Sequence, residues 1–202
     1  LVLNYDDQNI NNLMIEIEHT RYSSEAGAEY KINYPDKIMN SGKEYKIVSN
    51  LIGSHFVSNI TGAIAIASLN GIEIEESIDA IKSFPGVNRR TEYLGSVNGV
   101  KLYDDYGHHP TEINATITAL KQITKGKLYV IFQPHRYTRT NENFIKFRDE
   151  LKNADYSIVV DIYPAGEKPI PGVSSKNFES ENIKYIKSIR MIPAYLSSRV
   201  KE

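Results

Sequence analysis

A chain of 202 residues, 41% hydrophobic and with a formal charge of −1, has enough apolar material for one large domain or two small ones. The near-neutral balance excludes a global field that would recruit nucleic acid or an anionic membrane, and the absence of cysteine excludes disulfides and thiolate metal sites. No apolar run reaches the roughly 18–20 residues of a membrane helix and no signal peptide opens the chain, so a cytoplasmic location is expected.

Leu1-Val2-Leu3-Asn4 starts inside an apolar strand, and Arg199-Val200-Lys201-Glu202 stops on a helical pattern, so the chain is expected to be part of something larger. Asp6-Asp7-Gln8 is suited to cap a helix whose apolar positions Ile10, Leu13, Met14 and Ile17 fall at helical spacing. Alternation in Tyr30, Ile32 and Tyr34 and again in Tyr45 and Ile47, with turns at Pro35-Asp36 and Asn40-Ser41-Gly42, predicts a small antiparallel ribbon. Its polarity suggests an exposed flap. From His55 to Leu69 the pattern is a helix rich in small residues (Gly62, Ala63, Ala65, Ala67), ended by Gly71. Ile74, Ile78 and Ile81 mark another helix, stopped at Phe84-Pro85-Gly86, and residues 84–96 are the expected domain boundary.

The remaining chain repeats one grammar, a strand emptying into a polar loop. Val97 to Tyr103, broken by an Asn98-Gly99 turn, leads into Asp104-Asp105-Tyr106-Gly107-His108-His109, and a helix with proline in its first turn begins at Pro110. Leu128 to Phe132 leads into Gln133-Pro134-His135-Arg136-Tyr137-Thr138-Arg139-Thr140, with a helix beginning near Asn141. Tyr156 to Ile162 leads into Tyr163-Pro164-Ala165-Gly166-Glu167-Lys168-Pro169. Helical spacing between the runs predicts parallel pairing, and right-handed crossovers would bring the three loops to one edge of the sheet.

These loops hold the candidate chemistry. Arg136 and Arg139 suit two-point binding of a carboxylate or phosphate; the bland alternative pairs them with Asp149 or Glu150. His108-His109 admit three readings: metal ligands, proton-transfer groups, or imidazoles that hydrogen-bond a ligand. No other His or Cys lies close in sequence to close a metal site, and one of the two is expected to be tied to Asp104 or Asp105. Arg89-Arg90 follow the proline-glycine break, where one guanidinium would stand at a domain junction and the other in solvent. Gly53-Ser54-His55 and Asn59 put an imidazole and an amide on one face of a helix start, with Ser54 the expected cap.

Four blocks, Gly53-Ser54-His55-Phe56-Val57-Ser58-Asn59, Phe84-Pro85-Gly86-Val87-Asn88-Arg89-Arg90-Thr91-Glu92, Asp104 to Glu112 and Phe132 to Thr140, give the chain a resemblance to the Mur ligases of bacterial cell-wall synthesis, in their alanine-adding branch. The resemblance implies an α/β protein. Residues 1–94 would be the end of a central ATP-binding domain and 95–202 most of a Rossmann-like, mostly parallel C-terminal domain. It implies ATP and Mg2+ as cofactors, UDP-N-acetylmuramate and L-alanine as small-molecule substrates, and an acyl-phosphate intermediate. By position, Asn59 would hydrogen-bond adenine with His55 beside it, Arg90 would approach the terminal phosphate, and Asp105 would lie on the ribose side. His108, Arg136 and Arg139 would face the acyl-phosphate centre and the carboxylate of alanine. The family usually has asparagine where this chain has Phe56, and its phosphate loop and magnesium ligands are not among these residues, so the chain alone is expected not to ligate. Two alternatives stay open: the branch that recycles murein tripeptide, and a non-catalytic nucleotide- or amino-acid-binding module.

Overall fold

The computed structural model describes residues 1–197 and 199, so the helical pattern expected through Arg199-Val200-Lys201-Glu202 lies, Arg199 apart, outside the described residues. The chain forms two compact units that divide between Val87 and Asn88. Among the described residues no helix is long and apolar enough to cross a membrane.

The first unit runs β1 (Val2–Asn4), α1 (Gln8–Asn11), β2 (Thr20–Ser23), β3 (Tyr30–Asn33), β4 (Lys37–Asn40), β5 (Lys43–Lys46), α2 (Ser54–Leu69) and α3 (Ile74–Ser83). Its sheet has the order β1-β2-β3-β4-β5, parallel from β1 to β3 and antiparallel from β3 to β5. The alternating segment is therefore not an exposed flap. It extends the sheet, and Tyr30, Ile32, Ile38 and Ile47 turn their side chains into the same core as Val57, Ile60 and Ile64 of α2. Period-two alternation was a correct sign of strands, but polarity alone misjudged which face of the ribbon was covered.

Helix α1 is a second correction. Asp7 caps it as expected, accepting from the amides of Asn9 and Ile10, but the helix stops after one turn and leaves Leu13, Met14 and Ile17 exposed, Met14 at 95%. A single capped turn does not propagate when its apolar stripe has no surface to cover. In α2 the small residues divide: Gly62 and Ala65 are buried while Ala63 is exposed. A side chain at Gly62 would meet the Tyr22 ring at 3.1 Å, which is why glycine stands where the helix crosses β2.

The second unit begins with a ribbon of β6 (Glu92–Val97) and β7 (Val100–Asp104), antiparallel. The Asn98-Gly99 turn joins two strands rather than interrupting one, and both residues take positive φ (49° and 76°), as a tight two-residue hairpin requires. Then follow α4 (Pro110–Ile123), β8 (Tyr129–Phe132), α5 (Tyr137–Glu142), α6 (Phe144–Leu151), β9 (Tyr156–Val159), a 3-10 turn, β10 (Ile183–Tyr185), a second 3-10 turn and α7 (Ile192–Ser197). The three strands β10-β9-β8 form a parallel sheet in that order. The expectation of three parallel strands feeding the site is thus met by β8 and β9, whereas β7 pairs with β6 instead. Ile113 and Ile117 of α4 pack with Phe132, Phe147, Leu151, Val159 and Phe178 into one core that fixes α4 and α6 against the sheet.

Core and surface assignments make a contrast that denaturation can read. Ile38→Ala, at a position with 0% exposure, is expected to cost about 2–5 kcal/mol. Met14→Ala is expected to stay within about 0.5 kcal/mol. Urea unfolding of both variants checks this, and a large loss from Met14→Ala would show that α1 continues as a packed helix.

Candidate functional site

The polar loops after β7, β8 and β9 meet around a cavity of about 400 Å3, whose wall includes Arg89, Asp105, His108, Gln133, His135 and Tyr163. The ring centroids of His108 and His135 are 6.4 Å apart, and His135 lies 5.4 Å from Tyr163. The loops therefore converge even though β7 stands outside the parallel sheet. What holds the first loop is the segment ahead of β6: the Tyr106 amide donates to the Arg89 carbonyl at 2.7 Å, and the Thr91 amide donates to Asp105 Oδ2 at 2.7 Å.

Asp105 braces this loop. Its Oδ2 also accepts from the Thr91 hydroxyl at 3.2 Å, and its Oδ1 accepts from the Gly107 amide at 2.6 Å. A Cβ at Gly107 would fall 2.8 Å from Asp105 Oδ1, so the close approach requires glycine there. His108 points Nδ1 at the Tyr106 carbonyl, 3.0 Å away. Because a carbonyl only accepts, Nδ1 carries a proton, and in the neutral form of the ring Nε2 is the acceptor. The expected tie to Asp104 or Asp105 is corrected: the acid beside His108 is Glu112, with Oε2 3.7 Å from Nδ1.

Glu112 is a residue that sequence reasoning left without a role. One of its oxygens accepts from the amides of His108 (3.0 Å) and His109 (3.1 Å), and the other accepts from Arg90 Nη1 at 3.2 Å. Burial works against its ionisation, but these donors outweigh it and hold the carboxyl below its ordinary range. The signal was legible: a glutamate three residues into a helix, reaching back to the amides before it, is half of a capping box. Arg89 was also undervalued. It is exposed, as expected for one of the two arginines, yet Nε donates to Asp104 Oδ2 at 3.1 Å and the guanidinium lies 4.8 Å over the Tyr106 ring.

Helix α5 starts at Tyr137, four residues before the position expected from the sequence, so Arg139 is helical and Arg136 is the residue at the helix start. Neither arginine lines the cavity wall. They act on it as charge. Burial first, then Arg139 and Arg136, push the His135 pKa down, which favours a neutral imidazole, and His135 Nδ1 is buried with no hydrogen-bond partner among the described residues. The bland pairing of these arginines is not seen: Asp149 lies by Arg148 and Lys152, and Glu150 accepts from Asn153.

In the first unit, Gly53 rather than Ser54 precedes α2, with φ at 117° and no side-chain cap, so the expected capping role of Ser54 is corrected. The His55 ring lies tilted against Phe56, centroids 4.3 Å apart, and Asn59 is exposed one turn later. Among the described residues no group of three or more His, Asp or Glu side chains converges to hold a metal ion. The reading of His108-His109 as a metal centre is not supported by any such group.

The charge relation between α5 and His135 is open to direct measurement. Arg139→Gln is expected to move the His135 titration to higher pH, because a neighbouring positive charge disfavours the imidazolium. Histidine-resolved NMR titration checks this; an unchanged His135 midpoint would place Arg139 too far away to act.

Comparison with known proteins agrees with this layout. The family described as "Mur ligase, glutamate ligase domain" matches residues 89–201. The UDP-N-acetylmuramate--L-alanine ligase of Geotalea daltonii is 39% identical over 194 residues, covering 93% of this chain and 40% of its own. The crystal structure of the UDP-N-acetylmuramate-alanine ligase of Thermotoga maritima superposes with a TM-score of 0.68 at 20% identity, over 91% of this chain and 42% of that one. A second Thermotoga maritima structure, a MurF ligase in complex with ADP, gives a TM-score of 0.72 at 18% identity, over 99% of this chain and 47% of that one. The chain spans between two fifths and one half of the length of the curated relatives it matches first. With the family matched over more than half of its residues, the chain belongs to the Mur ligase family.

Proposed function

We propose that this chain is the amine-handling part, with a portion of the nucleotide-binding part, of an ATP-dependent ligase. The ligase would join L-alanine to UDP-N-acetylmuramate and release ADP and phosphate. One observation carries the reading: loops from different strands bring His108 and His135 to one cavity, with the charges of Arg136 and Arg139 close enough to depress His135. The names of the relatives support the choice of substrates.

A carboxylate is a poor electrophile, and transfer of the terminal phosphoryl group of ATP to the muramyl carboxylate turns it into an acyl phosphate with a good leaving group. The amine of L-alanine then attacks the acyl carbon, the C–O bond to phosphate breaks, and the amine loses a proton. The Nε2 of His108 would take that proton, a role supported by the contact of Nδ1 with the Tyr106 carbonyl, which leaves Nε2 as the acceptor of the neutral ring. Arg136 and Arg139 offer guanidinium forks for the alanine carboxylate and for charge on the departing phosphate. His135, held neutral, adds no further positive charge where an ammonium must first be accommodated.

For the nucleotide, the first unit offers the exposed amide of Asn59, a donor and acceptor suited to the edge of adenine, and the His55 ring. The second unit offers Arg90 for the terminal phosphate. Asp105, whose carboxylate accepts three hydrogen bonds from Thr91 and Gly107 and keeps acceptor capacity beyond them, would serve the ribose side. Magnesium chemistry would neutralise phosphate charge; no side chain described above is assigned to the ion. The functional division at 94/95, a nucleotide portion followed by an amino-acid portion, is part of this proposal.

The test is kinetic. In the full-length polypeptide that carries these residues, ADP release is expected to require both UDP-N-acetylmuramate and L-alanine. Arg136→Ala is expected to lower kcat/KM for alanine by about tenfold or more without changing the thermal midpoint. ADP release that ignores L-alanine, or an Arg136→Ala variant with unchanged kinetics, would contradict the assignment.

A further inference from the structure

We infer that Glu167 is a positioning residue for the arginine turn, acting on the amino-acid substrate through Arg136; this rests on the ligase reading above. Helix α5 has no cap of its own. Arg136 precedes it with φ at 72° and makes no side-chain cap hydrogen bond, a left-handed conformation that arginine does not hold without support. The support comes from the loop after β9. Glu167 Oε2 accepts from the Thr138 amide at 3.0 Å, and Oε1 accepts from the Thr138 hydroxyl at 2.7 Å. On the other side, the Arg136 amide donates to the Tyr163 carbonyl at 2.8 Å, and the Tyr163 amide donates to the Pro134 carbonyl at 2.8 Å.

Glu167 is itself held in a tight turn, with its amide donating to the Pro164 carbonyl at 3.0 Å and positive φ at Ala165 (49°) and Gly166 (85°). The Thr138 hydroxyl and amide, and then the Arg136 charge among weaker influences, keep the carboxyl below its ordinary range. The partly buried carboxylate thus takes the Thr138 amide in the first turn of α5, and the guanidinium of Arg136 makes no ion pair among the described residues. Orientation is the consequence. Without Glu167 the helix start frays, Arg136 leaves its left-handed setting, and the fork no longer meets a substrate carboxylate in two-point geometry.

A double-mutant cycle in the full-length polypeptide separates positioning from plain stability. Glu167→Ala is expected to raise KM for L-alanine about tenfold, with kcat within about threefold of the unsubstituted enzyme. In an Arg136→Ala background the same substitution should add less than about twofold, because the residue through which it acts is already gone. Should Glu167→Ala fail to fold, Thr138→Val, which removes the hydroxyl partner, is read by the same cycle and should move KM in the same direction. An unchanged KM, or effects of Glu167 and Arg136 that multiply in full, would overturn the inference. No ligation by the unsubstituted polypeptide would instead overturn the ligase reading, and the inference with it.

Discussion

The site depends on one hydrogen-bonded ladder that outlasts its strands. The parallel pairing of β8 with β9 ends at Phe132 and Val159, but the segments that follow them stay joined through Pro134, Arg136 and Tyr163. His135 and Tyr163 form a bridge of the same parallel sense. Loops normally diverge where a sheet ends. Here the continued pairing delivers an imidazole, a phenol and a guanidinium-bearing helix start at a fixed spacing from the sheet edge, anchored on the buried Phe132, Val159 and Phe147 core.

Acids do the bracing at this rim and cations do the waiting. Asp105 ties the first loop to Thr91 and Gly107, Glu112 gathers the amides of His108 and His109, and Glu167 closes the start of α5. Each carboxylate is spent on backbone or hydroxyl donors, and Glu112 on Arg90 as well. The positive groups other than Arg89, which is already paired with Asp104, are then left for an arriving anion. An exception is Arg90, which rests on Glu112 at 3.2 Å; both partners are partly exposed, so the pair is weak and an incoming phosphate can compete for the guanidinium.

Much of this was legible in the sequence because its carriers are local. The strand-to-loop repeats, the hairpin at Asn98-Gly99, proline at the start of α4 and the glycine after α2 are each set by short-range sterics. What escaped was set by partners far along the chain. The Tyr30–Ile47 ribbon has the polarity of a flap, and only the arrival of α2 turns one of its faces into core. The stripe of Leu13, Met14 and Ile17 has helical spacing but nothing to cover, so it stays exposed. The early start of α5 could not be seen locally, because its cap comes from Glu167, far along the chain.

Within the site the same division holds. His108, Arg136 and Arg139 stood out by residue type and by position at strand ends, whereas Glu112 and Glu167 looked like ordinary surface acids. The claim that all of these serve one anion-holding rim is tested most directly by side-chain-resolved NMR of this chain titrated with inorganic phosphate. The account predicts that signals of His108, His135, Arg136 and Arg139 shift together along a single saturating curve while His19 stays still. Signals that move with unrelated affinities, or that do not saturate at all, would contradict it.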